Sequence, residues 1–104
     1  MYDLIIVGGG PAAVAAGVYA ARKRLKTLLL TEEFGGQSIV SADIENWIGE
    51  PHISGFDLAQ KFETHARSYP DILEVKTPEK VTQVAALNCD ANNICDFEVA
   101  TQSG

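Results

Sequence analysis

The sequence is short of positive charge. Eight Lys and Arg stand against fourteen Asp and Glu, for a net charge of −6 and a pI near 4.7. That balance excludes a general nucleic-acid or anionic-membrane surface unless a local basic patch supplies one. The single patch, Arg22-Lys23-Arg24 with Lys26, reads as the exposed end of a helix. No apolar run approaches the roughly 20 residues needed to cross a bilayer. The N-terminus lacks the basic region and cleavage site of a secretory signal. A soluble, cytoplasmic chain with no nucleic-acid or membrane partner is the expectation. Cysteine is also scarce. Cys89 and Cys95, with five residues between them, fit neither a disulfide framework nor a metal site, and are expected as two ordinary thiols flanking a turn. His52 and His65 have no carboxylate or cysteine at ligand spacing and are expected on the surface, so no metal is expected. At 104 residues the chain can bury one modest core but cannot form a two-domain enzyme.

What is present has a clear order. Tyr2 to Val7 is a short apolar run bounded by glycine, which reads as a buried parallel strand. Pro11 to Arg24 is alanine-rich, with its proline confined to the first turn, and predicts a helix about 21 Å long. Lys26 to Thr31, "KTLLLT", predicts a second strand, so the three elements form one βαβ unit. From Glu32 to Gly55 the periodicity disappears, and a long loop with glycines and one proline is expected to be functional. Phe56 to Tyr69 regains a helical pattern and Pro70 stops it. Ile72 to Lys76 predicts a third strand. Val81 to Leu87 and Cys95 to Thr101 flank "NCDANNI" as a hairpin with an Asn-rich tip. There is no internal repeat and no low-complexity tract.

The spacing Gly8-x-Gly10-x-x-Ala13 fits a dinucleotide-binding fingerprint with alanine in third place. Gly8 permits the sharp turn out of the strand, Gly10 presents no Cβ to a pyrophosphate, and Ala13 allows close helix-to-strand approach. The start of the helix, at Pro11, Ala12 and Ala13, then offers unpaired N–H groups and a positive dipole end. Glu32 closes the second strand about 20 residues on, where a carboxylate can accept both hydroxyls of an adenosine ribose and would repel a 2′-phosphate. This pattern by itself does not separate FAD from NAD, and an NAD-dependent dehydrogenase domain stays open beside it. A non-catalytic module that associates with itself is a third reading.

The stretches "IIVGGGPAA", "YAARK", "FGGQ" and "DIENWIG" resemble the FAD-binding domain of the thioredoxin reductase family over essentially the whole chain. "FGGQ…DIEN" lies nearer the flavoprotein component of alkyl hydroperoxide reductase, and "ENW-x-G" nearer thioredoxin reductase proper. The resemblance implies an α/β, Rossmann-like, three-layer FAD-binding fold: a parallel sheet with a β-meander, incomplete relative to the family domain. It implies that the first βαβ unit binds FAD. On their own chemistry, Gly35 and Gly36 let backbone N–H groups approach phosphates and a ribityl chain, and Gln37 offers a donor and an acceptor to a polar ring edge. Asn46 offers the same pairing, with an Asx-type turn bond as its alternative. By resemblance Asn46 lies near the flavin ring, and the main chain at Val81 faces the adenine. Trp47 is expected to pack under the loop.

The resemblance also implies parts that these residues do not contain. A second GxGxxA would bind NADPH or NADH, and a Cys-x-x-Cys pair would pass electrons to a thioredoxin-like or peroxidase protein. The Cys89/Cys95 spacing cannot stand in for such a dithiol. No residue of this chain is therefore expected to be catalytic. The chain reads as the N-terminal portion of an FAD-binding domain, inactive alone and part of a homo-oligomeric parent oxidoreductase.

Overall fold

A computed structural model of residues 1–104 describes every residue apart from the side chain of Ser38. Three short strands, β1 (Leu4–Val7), β2 (Thr27–Leu30) and β3 (Leu73–Lys76), form one parallel sheet in the order β1-β2-β3. Helix α1 (Pro11–Arg22) connects β1 to β2, and α2 (Gly55–Ala66) connects β2 to β3. An antiparallel hairpin, β4 (Val81–Leu87) with β5 (Asp96–Thr101), completes the chain.

The register sets Ile6 beside Leu29 and Ile5 beside Leu28. Because side chains alternate across a strand, these two pairs face opposite sides of the sheet. Ile6, Leu29 and Leu73 carry the helices, and join Val14, Ala21, Leu58, Phe62 and Ala66 in the buried cluster. Gly17 allows this contact. A Cβ there would sit 3.3 Å from Leu73 Cδ2 and 3.6 Å from Leu29 Cδ1, so α1 lies closer to the sheet than an alanine would comfortably permit. On the other side, Ile5, Leu28 and Leu30 face Val99 and Thr101 of the hairpin across a cleft of about 580 Å³. Helices, sheet and hairpin are thus the three expected layers, with a two-stranded hairpin in the place of the meander.

Helix α1 ends two residues earlier than its composition predicts. Arg24 adopts a left-handed backbone, φ 61°. Its N–H donates to the Ala21 carbonyl and that of Leu25 to the Ala20 carbonyl, the pair of bonds that closes a helix on a left-handed residue. The basic patch is therefore half cap and half turn. Helix α2 starts at Ser54, whose hydroxyl accepts from the Asp57 N–H at 3.1 Å, and ends at Ala66, with the Ser68 hydroxyl donating to the His65 carbonyl. The long loop is more structured than its pattern suggests. It holds a 3₁₀ turn over Gly36–Val40 and two antiparallel bridges, Ile44 with Ile53 and Trp47 with Glu50. Phe34 and Ile53 anchor it in the core. Trp47 packs edge-on against Phe62, with ring centroids 5.2 Å apart, which is the packing role expected of it.

One expectation is overturned. Cys89 and Cys95 form a disulfide across the hairpin tip rather than remaining two thiols. The spacing looked uninformative because the antiparallel register, with Leu87 opposite Asp96, brings the two ends of the turn together. Among the described residues no helix is long and apolar enough to cross a membrane.

Candidate functional site

β1 ends at Val7, and the chain turns through Gly8, whose φ of +127° falls in the region that side chains avoid. The Gly8 N–H donates to the Leu30 carbonyl at 2.8 Å, so the turn stays tied to β2 as it leaves the sheet. The middle glycine, unassigned in the fingerprint, is the most confined of the three. A Cβ on Gly9 would collide with the Glu33 carbonyl oxygen and lie 2.6 Å from Thr31 Oγ1 and 3.1 Å from the Phe34 Cα. Its own carbonyl accepts from the Gly35 N–H at 2.9 Å. Gly9 therefore joins the fingerprint turn to the "FGGQ" segment. The run of three glycines was the sequence signal for it.

Gly10 is different. It is the N-cap of α1, and the nearest atom to a Cβ built on it is the Gly36 Cα at 3.8 Å. Among the described residues no side chain caps this helix, and no acidic residue stands in its first turn. Pro11 has no N–H to offer, so the N–H groups of Ala12 and Ala13 are the free donors of the first turn. Both Pro11 and Ala12 are exposed and Ala13 is half-buried. The result is an open, positively polarised helix end bordered by Gly36.

A cleft of about 360 Å³ runs beside this turn and brings Gly8, Glu32, Gly36 and Val81 together, with Glu33, Glu79 and Lys80 on its rim. Glu32 and Glu33 are both exposed, but their surroundings differ. The Glu33 carbonyl accepts from Thr31 Oγ1 at 2.6 Å and covers Gly9, whereas the Glu32 carbonyl accepts from Thr77 Oγ1 at 3.3 Å. Glu79 was not foreseen in this cleft. Its N–H donates to the Thr31 carbonyl at 2.8 Å. Hydrogen bonds from the hydroxyls of Ser103 first and Thr101 second hold its carboxyl below the usual carboxylate range. With three carboxylates and one lysine on its wall, the cleft carries a negative balance and favours hydroxyl donors.

The remaining candidates are less closely gathered. Gly35 is buried against Ala59 and Ile39. Gln37 and Asn46 are exposed, line none of this cleft, and among the described residues make no side-chain hydrogen bond. Asn46 thus lacks the turn bond weighed for it, and sits between the two bridges of the long loop. His65 is exposed, as expected. His52 is exposed too, but it has carboxylate neighbours after all. The Ile44–Ile53 bridge brings its Nδ1 to 3.3 Å from Asp43 Oδ2 and 3.4 Å from Glu45 Oε1, a proximity that sequence spacing could not show. A larger groove, about 920 Å³, lies along the outer side of α2 and is lined by none of the candidate residues.

Comparison with known proteins gives the family and the fold. Residues 2–99 match the family profile described as pyridine nucleotide-disulphide oxidoreductase. An alkyl hydroperoxide reductase component of Xanthomonas campestris pv. phaseoli is 42% identical over 86 residues, 82% of this chain and 16% of the relative. Thioredoxin reductase of Coxiella burnetii is 43% identical over 67 residues, 62% of this chain and 21% of that protein. Among solved structures, Lactococcus lactis thioredoxin reductase superposes with a TM-score of 0.79 at 32% identity, over 100% of this chain and 32% of its own. The chain therefore spans about a sixth of the alkyl hydroperoxide reductase sequences it matches and about a third of the thioredoxin reductase structures.

Proposed function

The chain belongs to the pyridine nucleotide-disulphide oxidoreductase family, and from that premise we propose that it is the FAD-binding portion of a thioredoxin reductase-like flavoprotein. The observation that carries this reading is the start of α1: an uncapped, acid-free helix end whose N-cap glycine has open space where a Cβ would stand. The residues present fit a pyrophosphate there. Gly8 turns the chain, Gly10 leaves room, and the N–H groups of Ala12 and Ala13 donate to phosphate oxygens while Pro11 presets the first turn. Glu32, on the cleft wall, accepts the ribose hydroxyls. Gly35 and Gly36 shape the neighbouring loop. Gln37 and Asn46 offer paired donors and acceptors to a flavin ring edge, and the main chain at Val81 lies at the adenine end.

When bound, FAD supplies two-electron transfer between a nicotinamide cofactor and a disulfide. In this reading the chain's own residues bind and orient, and none moves a proton. NADPH or NADH, a Cys-x-x-Cys dithiol and a thioredoxin-like or peroxidase acceptor belong to the whole protein, which functions as a homo-oligomer. β1 stands at an edge of the sheet, with Val7 exposed. A strand from elsewhere in the parent, or from a second copy, would satisfy its outer row of backbone groups.

The test is titration of the purified chain with FAD, followed by flavin fluorescence and by absorbance on the protein peak in size exclusion. Saturable binding that NAD does not displace supports the proposal. No FAD binding with retained NAD binding would transfer the site to the dehydrogenase class. Turnover of NADH or NADPH with a thiol acceptor by this chain alone would overturn the assignment of catalysis to absent parts.

A further inference from the structure

The hairpin tip carries chemistry that the cofactor cleft does not use. Neither Cys89 nor Cys95 lines that cleft. Their disulfide closes residues 90–94 into a turn that Asp90 also holds without help from sulfur. Asp90 Oδ1 accepts from the N–H groups of Asn92 at 2.8 Å and Ile94 at 3.0 Å. The Asp90 N–H donates to the Ile94 carbonyl, and the Asn93 N–H to the Asp90 carbonyl, each at 3.0 Å. Reduction would therefore leave two thiols facing each other across a formed turn instead of releasing a loop. Reoxidation would then be an intramolecular step between preplaced groups.

The two cysteines are not equally exposed. Cys89 is exposed and Cys95 half-buried, so an incoming thiolate reaches Cys89 first. Apart from the α-amino group of Met1, which lines the cleft beside Cys95, the charge nearby is negative. Asp90 and Asp96 adjoin the cysteines, and the stretch from Val81 to Gly104 contains no lysine or arginine. Asp3 lies across the cleft shared by Cys95, Asp96 and Phe97. The attacking thiolate brings one negative charge in every case, so a reductant that adds carboxylates is repelled most, an otherwise neutral dithiol less, and one with an ammonium group least.

We propose that Cys89–Cys95 is a thiol–disulfide exchange site that accepts electrons from neutral or cationic thiols, dithiols above all, and discriminates against anionic ones. In the first step the reductant's thiolate forms a bond to Cys89 Sγ while the Cys89–Cys95 bond breaks and its electron pair leaves with Cys95. The reductant's second thiol, deprotonated by solvent, then displaces Cys89. The dithiol ends as its own disulfide, and the two cysteines gain two electrons and take two protons from water. This inference is independent of the cofactor reading.

The oxidised chain is incubated anaerobically with dithiothreitol, cysteamine or glutathione, the monothiols at equal thiolate concentration. After an acid quench, maleimide adducts are counted by intact mass. Two labels should appear together while the far-ultraviolet circular dichroism stays unchanged. Cysteamine should react severalfold faster than glutathione at low salt, and the gap should narrow at high salt, where the screening length is short. Asp96→Asn should narrow it too. Cys95→Ser should trap a mixed disulfide with cystamine at Cys89 faster than Cys89→Ser traps one at Cys95. Free thiols in the air-oxidised protein, labelling only after unfolding in urea, or equal cysteamine and glutathione rates at low salt would each overturn the proposal.

Discussion

The two helices pack side by side on one sheet, yet they begin in opposite ways. Helix α2 starts at Ser54, whose hydroxyl accepts the Asp57 N–H, and Asp57 itself puts an acidic group in the first turn. Its positive end is satisfied within the chain. Helix α1 starts at a glycine with no capping side chain and no acid, so its first donors have no partner of their own. A capping residue stabilises a helix end by about 1 kcal/mol relative to alanine. At α1 the N-cap is a glycine, which forgoes only a few tenths of a kcal/mol relative to a capping side chain. On the proposed reading, the open end of α1 is kept for a ligand, whereas the closed end of α2 serves the fold.

The sharpest way to break this contrast is to give α1 the start that α2 has. Gly10 has φ −82° and ψ −173°, a conformation open to any residue, and space for a Cβ. Gly10→Asp should cap α1, leaving stability unchanged or raised by a few tenths of a kcal/mol. It should also abolish FAD binding by placing a carboxylate where the pyrophosphate sits. Gly10→Val should abolish binding by bulk alone. Normal flavin titration of either variant would refute the site. Gly9→Ala should act on the fold, because its Cβ would meet the Glu33 carbonyl oxygen. A loss of about 1–3 kcal/mol is expected in urea unfolding, the range for overpacked positions.

Glu32→Ala should weaken FAD binding by roughly 1–3 kcal/mol, the scale of a lost charge-assisted hydrogen-bond pair. Glu33→Ala should weaken it much less, since the fingerprint assigns the ribose to the carboxylate that closes the second strand, Glu32. Isothermal titration ranks the two, and the reverse order would move the ribose to Glu33. On the other helix, Ser54→Ala should cost about 1 kcal/mol of stability and leave flavin affinity unchanged.

The smallest effect concerns the far end of α1, where the Arg24 guanidinium lies 2.9 Å from Asp71 at the approach to β3. The hydrogen bond from Arg24 holds the Asp71 carboxyl below its usual value. A depressed carboxylate stabilises the folded state above its unfolded pKa, near 3.9, and that contribution fades as pH falls through the folded value. The pair is well exposed, so the effect is small and weakened by salt. Thermal melts of the native chain and Asp71→Asn should differ slightly at pH 7 in low salt and converge as pH drops below about 4. Persistence of the difference in acid would rule out the ion pair as its source.

Much of this site was legible before any coordinates. The turn and the helix follow from a run of small residues set between apolar strands, and the carboxylate from its place at the end of the second strand, because periodicity and backbone freedom are local properties. Gly9 was not legible, although it stands in the same run. Its constraint comes from Glu33 and Phe34 of the following loop, and no local pattern records which backbone will lie against it. Gly17 reads as an ordinary interruption of an alanine-rich helix until Leu73 is seen to press on it. Glu79 reaches the cleft only because its N–H joins Thr31 across the end of the sheet.

By itself, the sequence determined the alternation of strands and helices, the fingerprint turn and the carboxylate of Glu32 at the end of the second strand. These depend on periodicity, backbone freedom and charge, which are properties of neighbours along the chain. Tertiary structure decided which glycine is sterically locked and that His52 meets Asp43 and Glu45. It also decided that two cysteines with no recognisable spacing form a disulfide. Each of those follows from the pairing of separate segments: Gly9 against Glu33 and Phe34, His52 through the Ile44–Ile53 bridge, and the cysteines through the β4–β5 register. Register is set by burial of whole faces and by turn geometry, and no single short stretch of residues contains both.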